Sequence, residues 1–278
     1  MNKITISDRA EAEAIAYFLL EARLGIDRQH VWSNLPTQAD ILLLANDIAR
    51  INAYEPVQYV TQTAWFCGHR FVVNAHVLIP RPETEQLVSE VMKLVVPSAK
   101  IVDVGTGSGC IAVSLALALP SALVYGLDVS EGALQVAQQN AKQLNASVHW
   151  IHADFLNENL SLEKIDILFS NPPYIRELEK SAMEPTVLRF EPHLALFVPN
   201  HDPLVFYRAL ARKGKQMLNQ DGKIIAEINA QFSKEVKALF AEEGYQQVSL
   251  IKDIEGKDRF VFATAYDNSS PTQKEESA

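Results

Sequence analysis

Residues 101–119 constrain the fold more than any other stretch. Ile101-Val102-Asp103-Val104 is a short apolar run of the kind that makes a buried strand. Gly105-Thr106-Gly107-Ser108-Gly109 follows, then an apolar helical run from Cys110 to Leu119, closed by Pro120. Strand, glycine turn and helix in this order form a nucleotide-binding unit, because glycine lets the backbone turn sharply and approach a ligand closely. A second strand, Leu123 to Leu127, ends in Asp128. A carboxylate at that point is placed to accept hydrogen bonds from both hydroxyls of a ribose. Capping the helix that starts near Glu131 is the other use for Asp128; the glycine loop and the spacing favour the ribose.

The form of the glycine run narrows the ligand. A dinucleotide fingerprint would need glycine where Cys110 stands, and no Lys-Ser/Thr pair follows as a phosphate-binding loop requires. The run fits a ligand without a pyrophosphate, such as S-adenosylmethionine. A third strand, Val148 to Ile151, leads to Asp154-Phe155. The pair could bracket an adenine, with the acid at the exocyclic amine and the ring at its face. It could equally be a loop acid beside a core Phe.

Ile165-Asp166-Ile167-Leu168-Phe169-Ser170 reads as another buried strand, and Asn171-Pro172-Pro173-Tyr174 ends it. Each proline lacks a backbone N–H and fixes φ, and Asn171, before a proline, is pushed towards an extended conformation. The strand therefore delivers an amide side chain and an aromatic ring to its carboxyl end, where open α/β sheets bind ligands. That equipment suits a planar N–H₂ group: the Asn171 oxygen takes one hydrogen, the Pro172 carbonyl the other, and Tyr174 lies on the flat face. Asn-Pro is also a common turn pair.

Upstream, helical spacing of Ile15, Phe18, Leu19 and Ala22 predicts a helix stopped at Gly25. Thr37 caps a second helix carrying Ile41, Leu44, Ile48 and Ile51. From Trp65 to Ile79 aromatic and branched residues replace this pattern and predict a β-hairpin. Pro80-Arg81-Pro82-Glu83-Thr84-Glu85 then opens a further helix, Pro82 and the acids suiting its first turn. Arg81 stands either in solvent or at the mouth of a pocket. Downstream, Leu204–Leu218 and Ser233–Glu243 read as helices, Asp221-Gly222 as a turn, and Lys223–Ile228, Gln247–Ile251 and Arg259–Tyr266 as strands. Roughly seven strands alternating with helices imply a largely parallel sheet. His193 has no matched acid or nucleophile in the sequence and reads as a packing or surface residue.

The net charge of −9 argues against nonspecific nucleic-acid binding, which depends on Lys and Arg. Cys67 and Cys110, the two cysteines, have no zinc or disulfide spacing and read as small buried hydrophobes. With no basic-then-apolar leader and no membrane-spanning run, the chain is expected in the cytoplasm.

Three runs together resemble the bacterial release-factor glutamine methyltransferases: Val77 to Glu85, Asp103 to Gly109, and Ser170 to Ile175. Phe190-Glu191-Pro192 with Ala195-Leu196 adds to the match, and Pro-Arg-Pro-Glu-Thr-Glu discriminates it from the sister enzyme acting on a ribosomal protein. The resemblance implies a class I S-adenosylmethionine-dependent methyltransferase: a Rossmann-like, seven-stranded, mostly parallel α/β sheet with a small helical N-terminal domain. Residues 1–64 would recognise substrate, 65–81 form a hairpin linker, 82–267 the catalytic domain, and 268–278 a disordered tail.

It further implies methyl transfer to the glutamine side-chain nitrogen in the Gly-Gly-Gln loop of class 1 peptide chain release factors. Gly105, Thr106, Gly107, Ser108, Gly109, Asp128, Phe155 and Asn171 would contact the cofactor. Asn171, Pro172, Pro173 and Tyr174 would hold the glutamine, with Asn171, Pro172 and Tyr174 serving catalysis and no metal involved. Relatives often carry Trp at the place of Phe155, and Gly-Gly then Asp-Gly-Leu where this chain has Pro199-Asn200 and Asp202-Pro203-Leu204. Neither membrane association nor direct nucleic-acid binding is expected. The rivals are glutamine methylation of a ribosomal protein, methylation of adenine N6 or guanine N2, and a non-catalytic binding module.

Overall fold

The computed structural model describes residues 4, 8–94 and 96–265, so the expected tail and the end of the last expected strand, Tyr266, lie outside the described residues. Helix α1 (Arg9–Leu24) starts at Asp8, whose carboxylate accepts the Glu11 N–H, and closes at Gly25. Thr37 and Asp40 form a reciprocal capping box that starts α2 (Gln38–Leu43). The helix expected through Ile51 is split at Leu44, and α3 (Ala45–Asn52) resumes it; periodicity does not register a one-residue break. A short α4 (Val57–Thr61) follows, which the spacing did not predict. Leu19, Leu44, Ile48, Ile51, Val57 and Val60 bury one another in a core of their own.

The expected hairpin is real but short. Strands β1 (Ala64–Phe66) and β2 (His69–Phe71) pair antiparallel around a two-residue turn, Cys67-Gly68, with φ of 48° and 75°. Positive φ at both positions is the hairpin turn that matches strand twist. Pairing stops at Val72 instead of continuing to Ile79, because the backbone N–H and C=O of Val72 bond the Asn140 side chain, at 2.7 and 3.0 Å. Asn74 then turns the chain, its carbonyl accepting the Val77 N–H.

The rest alternates. In order come α5 (Pro82–Leu94), β3 (Lys100–Val104), α6 (Cys110–Ala118), β4 (Leu123–Asp128), α7 (Glu131–Leu144), β5 (His149–His152) and β6 (Ile165–Ser170). Then follow β7 (Ile175–Arg176), α8 (Pro185–Phe190), β8 (Phe197–Val198), α9 (Val205–Met217), β9 (Leu218–Glu227), α10 (Ser233–Glu242), β10 (Gln246–Lys252) and β11 (Asp258–Thr264). Among the described residues, seven strands form one sheet in the order β10-β11-β9-β6-β3-β4-β5. β11 is antiparallel to both neighbours and the other pairings are parallel. Asp221-Gly222 is not a separate turn: β9 begins at Leu218, and a register shift against β6 absorbs those residues as an irregularity. Strands β7 and β8 add a two-stranded parallel pair that the sequence did not suggest.

Alternation along β6 assigns the faces. Leu168 packs with Tyr207, Leu210, Val236 and Phe240 under α9 and α10. Phe169 packs with Leu87, Val91, Ile111 and Val113 under α5 and α6. Because both faces are covered, the central strands are mostly apolar rather than alternating. Among the described residues no helix is long and apolar enough to cross a membrane.

Candidate active site

Register decides what meets at the carboxyl ends of the central strands. Val104 on β3 pairs with Leu127 on β4 and with Ser170 on β6, and Ser170 pairs with Ala226 on β9. The next residues, Gly105, Asp128, Asn171 and Glu227, therefore stand at one level. The chain winds from β3 to β5 on one side and from β6 to β9 on the other, so this level lies at the switch in winding direction, where such sheets form their crevice. The Ser170 hydroxyl donates to the Val104 carbonyl at 2.8 Å and ties the two strands together there.

A cavity of about 320 Å³ opens at this point. Its lining includes Gly105, Thr106, Gly107, Ser108, Asp128, Phe155, Asn171, Pro172 and Pro173, brought together from four separate sequence segments. Gly109 and Tyr174 are not in the lining. Gly109 sits just before α6, its N–H donating to the Thr106 carbonyl, and Tyr174 donates its hydroxyl to Glu227 Oε1 at 3.0 Å.

The glycine loop folds back on β4. The N–H groups of Gly105 and Thr106 donate to the Leu127 carbonyl, and the Gly107 N–H donates to Asp128 Oδ2 at 2.9 Å. Gly105 and Gly107 have φ of 72° and 55°, and a Cβ built on either would meet no protein atom within 4 Å. The loop is thus a cradle with open space in front of its backbone. Asp128 is buried at 8% exposure, and burial raises its pKa against the pull of the Ser130 and Gly107 N–H groups. The cap of α7 is Ser130, whose side chain accepts the Ala133 N–H, so Asp128 is not spent on capping. Behind the loop, the fully buried Asp103 accepts the Thr106 hydroxyl at 2.6 Å, and burial pushes its carboxyl up to about 7. Asn140 reaches in from α7 and donates to the Ser108 carbonyl at 2.9 Å.

Asp154 lines the cavity, yet its carboxylate is engaged within its own turn by Leu156 N–H and by the Asn157 N–H and side-chain amide. The Asn157 side chain is the main cause of its lowered pKa. Phe155 is 4% exposed, with the Lys213 ammonium 5.1 Å from its ring centre. Arg81 is no free loop charge: it lines the cavity and pairs at 2.7 Å with the buried Glu191. His193 is exposed, bonds the Leu188 carbonyl at 2.9 Å and stands edge-on to Phe197, outside the cavity lining. Cys110 is buried as expected, whereas Cys67 is only half-buried, in the hairpin turn.

Two residues escaped sequence reasoning. Thr84 Oγ1 accepts from Asn171 Nδ2 at 3.3 Å and donates to Glu227 Oε2 at 2.9 Å. Thr84 lies inside the Pro-Arg-Pro-Glu-Thr-Glu run. Glu227 is an isolated acid closing the apolar run Ile224-Ile225-Ala226, the same signal that marked Asp128. Among the described residues no cluster of His, Cys, Asp and Glu could hold a metal ion.

The wound sheet, the glycine cradle and the acid at the end of β4 together define a protein of the methyltransferase class. Residues 82–189 match the Methyltransferase small domain family, and residues 5–61 the PrmC N-terminal domain family. A methyltransferase from Pyrococcus furiosus shares the fold, with a TM-score of 0.53 at 17% identity over 79% of this chain and 97% of that one. So does the hMettl16 catalytic domain, solved in complex with MAT2A 3'UTR hairpin 6, with a TM-score of 0.57 at 15% identity over 72% of this chain and 77% of that one.

Sequence relatives carry the assignment further. The release factor glutamine methyltransferase of Bacteroides thetaiotaomicron is 41% identical over 280 aligned positions, which cover 95% of this chain and 99% of that one. That of Enterococcus faecalis is 42% identical over 259 residues, 91% of this chain and 92% of that one. The chain belongs to the release factor glutamine methyltransferase family.

Proposed function

We propose that this enzyme methylates the side-chain nitrogen of the glutamine in the Gly-Gly-Gln loop of class 1 peptide chain release factors, using S-adenosylmethionine. The observation that carries this reading is the position of Asn171. Its amide nitrogen is committed to Thr84, its oxygen is left for a ligand, and it lines the same cavity as the glycine cradle and Asp128. The residues fit the cofactor: the loop backbone leaves room where side chains would stand, and a carboxylate with two oxygens accepts more than the two N–H groups it now holds. Gly105 to Ser108 would take the amino-acid end, Asp128 the ribose hydroxyls and Phe155 the adenine face.

When bound, S-adenosylmethionine would supply an electrophilic methyl group on sulfur, and sulfur would keep the bonding pair as the methyl passes to nitrogen. An amide nitrogen is a poor nucleophile because its lone pair is delocalised. Asn171 and the Pro172 carbonyl would grip the two N–H bonds, favour pyramidal nitrogen and stabilise the positive charge that grows there. The proton then leaves to solvent, so no general base is required. Positioning alone can lower such a barrier by roughly 7–11 kcal/mol at the ideal limit. Residues 1–64 would bind the body of the factor, away from the target loop.

The deciding experiment offers labelled S-adenosylmethionine with a release factor and with its Gly-Gly-Gln→Gly-Gly-Ala variant. Label on the first alone establishes substrate class and target residue. Label on neither refutes the reading. Asn171→Ala should abolish turnover while the protein melts within a few degrees of wild type.

A further inference from the structure

We propose that Thr84 and Glu227 form a polarity relay that fixes which end of the Asn171 amide faces the substrate, making both positioning residues for methyl transfer. The proposal rests on the reading of Asn171 as the acceptor of the glutamine N–H₂. An Asn side chain is nearly symmetric in shape, and its two orientations present opposite chemistry. One offers an oxygen to the substrate. The other offers an N–H₂, which cannot accept a proton from a second N–H₂. Something must choose between them.

The choice follows from counting protons. Glu227 is 3% exposed, and its two oxygens face two hydroxyls: Oε1 accepts from Tyr174 at 3.0 Å and Oε2 from Thr84 at 2.9 Å. Burial raises the Glu227 pKa, while the hydrogen bonds from Thr84 and Tyr174 and the Arg259 charge pull it back towards the ionised form. Ionised, the carboxylate only accepts, so each hydroxyl spends its single proton on Glu227. Thr84, itself 2% exposed, then has only lone pairs left for its other neighbour, Asn171. Only the N–H₂ end of the amide can satisfy a lone pair, which accounts for the 3.3 Å Nδ2 to Oγ1 contact. The oxygen is thereby turned the other way.

The relay draws one member from each of three places: the first turn of α5, the loop after β6 and the end of β9. Its base is rigid. Glu227 pairs with Phe260 in the antiparallel ladder, and its carbonyl accepts the Tyr207 hydroxyl at 3.1 Å. The segment before Thr84 is held by the Arg81 pair with Glu191.

Thr84→Val removes the hydroxyl at constant shape, and Thr84→Ser keeps it. With release factor and labelled S-adenosylmethionine, Thr84→Val should lower kcat about five- to tenfold, what one ordinary hydrogen bond commands. The KM for the factor and the cofactor Kd by calorimetry should stay within about twofold, and Thr84→Ser should recover most of kcat. A second readout needs no methylation: the Asn171 side-chain N–H₂ signals of ¹⁵N-labelled protein, identified by their loss in Asn171→Asp. They should be protected from exchange with water in wild type and Thr84→Ser, and unprotected in Thr84→Val. Unchanged kcat, a parallel rise in KM or Kd, no recovery by Thr84→Ser, or equal protection in all three proteins would each overturn the relay. Should wild type show the expected protection and leave the factor unmethylated, the relay stands and the substrate assignment falls.

Discussion

Asn140 offers the sharpest test of how the glycine loop is held. It is fully buried and makes three hydrogen bonds: it accepts from Val72 N–H and donates to the carbonyls of Val72 and Ser108. Asn140→Ala removes all three, a loss of about 3 kcal/mol at about 1 kcal/mol each. Asn140→Asp, the closest match in shape, should do worse at pH 7.5. It keeps the acceptor for Val72 N–H but aims carboxylate oxygen at two carbonyl oxygens 2.9 and 3.0 Å away, and it buries a charge. The sign of its pH dependence follows. A buried carboxyl facing carbonyls has a pKa raised above its unfolded value of about 3.9, so between those values the folded state holds one more proton than the unfolded. Its stability relative to wild type should then recover by about 1.4 kcal/mol for each pH unit lowered, or about 2.7 kcal/mol from pH 7.5 to 5.5. Guanidinium unfolding of the three proteins at both pH values measures this. An Asp variant as stable as the Ala variant at pH 7.5, or a deficit that does not shrink at pH 5.5, would refute the reasoning.

Four further outcomes are expected. A Cβ at Gly126 would lie 2.4 Å from the Trp150 ring, so Gly126→Ala should cost about 2–3 kcal/mol in chemical unfolding, and a smaller side chain at Trp150 should restore part of it. Asp128→Asn sets an N–H₂ against the N–H of Gly107 or Ser130; calorimetry should show S-adenosylmethionine bound at least tenfold more weakly, and unchanged affinity would count against a ribose contact. Cys67→Asn places a residue that tolerates positive φ in the hairpin turn and should stabilise the fold by about 0.5 kcal/mol in thermal melts. In that variant Cys110, its thiol pushed by burial to about 12, should react with thiol reagents only on unfolding.

What could be read from the sequence was local. The glycine run after β3, the acid after β4 and the prolines after β6 each announce themselves through backbone constraints on adjacent residues, and register alone then brings them to one level. The relay could not be read that way. Asn171 and Thr84 are 87 positions apart, and Thr84 and Glu227 are 143 apart. Only the sheet order makes them neighbours. The early end of the hairpin has the same origin, since the partner that takes over Val72 comes from α7. The departure at Asn200 is absorbed locally: its side-chain oxygen accepts the Leu178 N–H at 2.9 Å, and Asp202 pairs with Arg208 at 2.8 Å.

The placing of β11 bears on how the protein matures during synthesis. This strand is the last among the described residues, yet it lies inside the sheet, between β10 and β9. While a ribosome is still translating residues 258–264, the flank of β9 has no partner, and Glu227 lacks the Phe260 that faces it across the ladder. Every strand that shapes the cofactor cradle, β3 to β6, is by then already made. A nascent chain therefore holds every strand of the cradle before it holds the strand that pairs with the Glu227 backbone, so the brace behind the relay is made after the cradle itself.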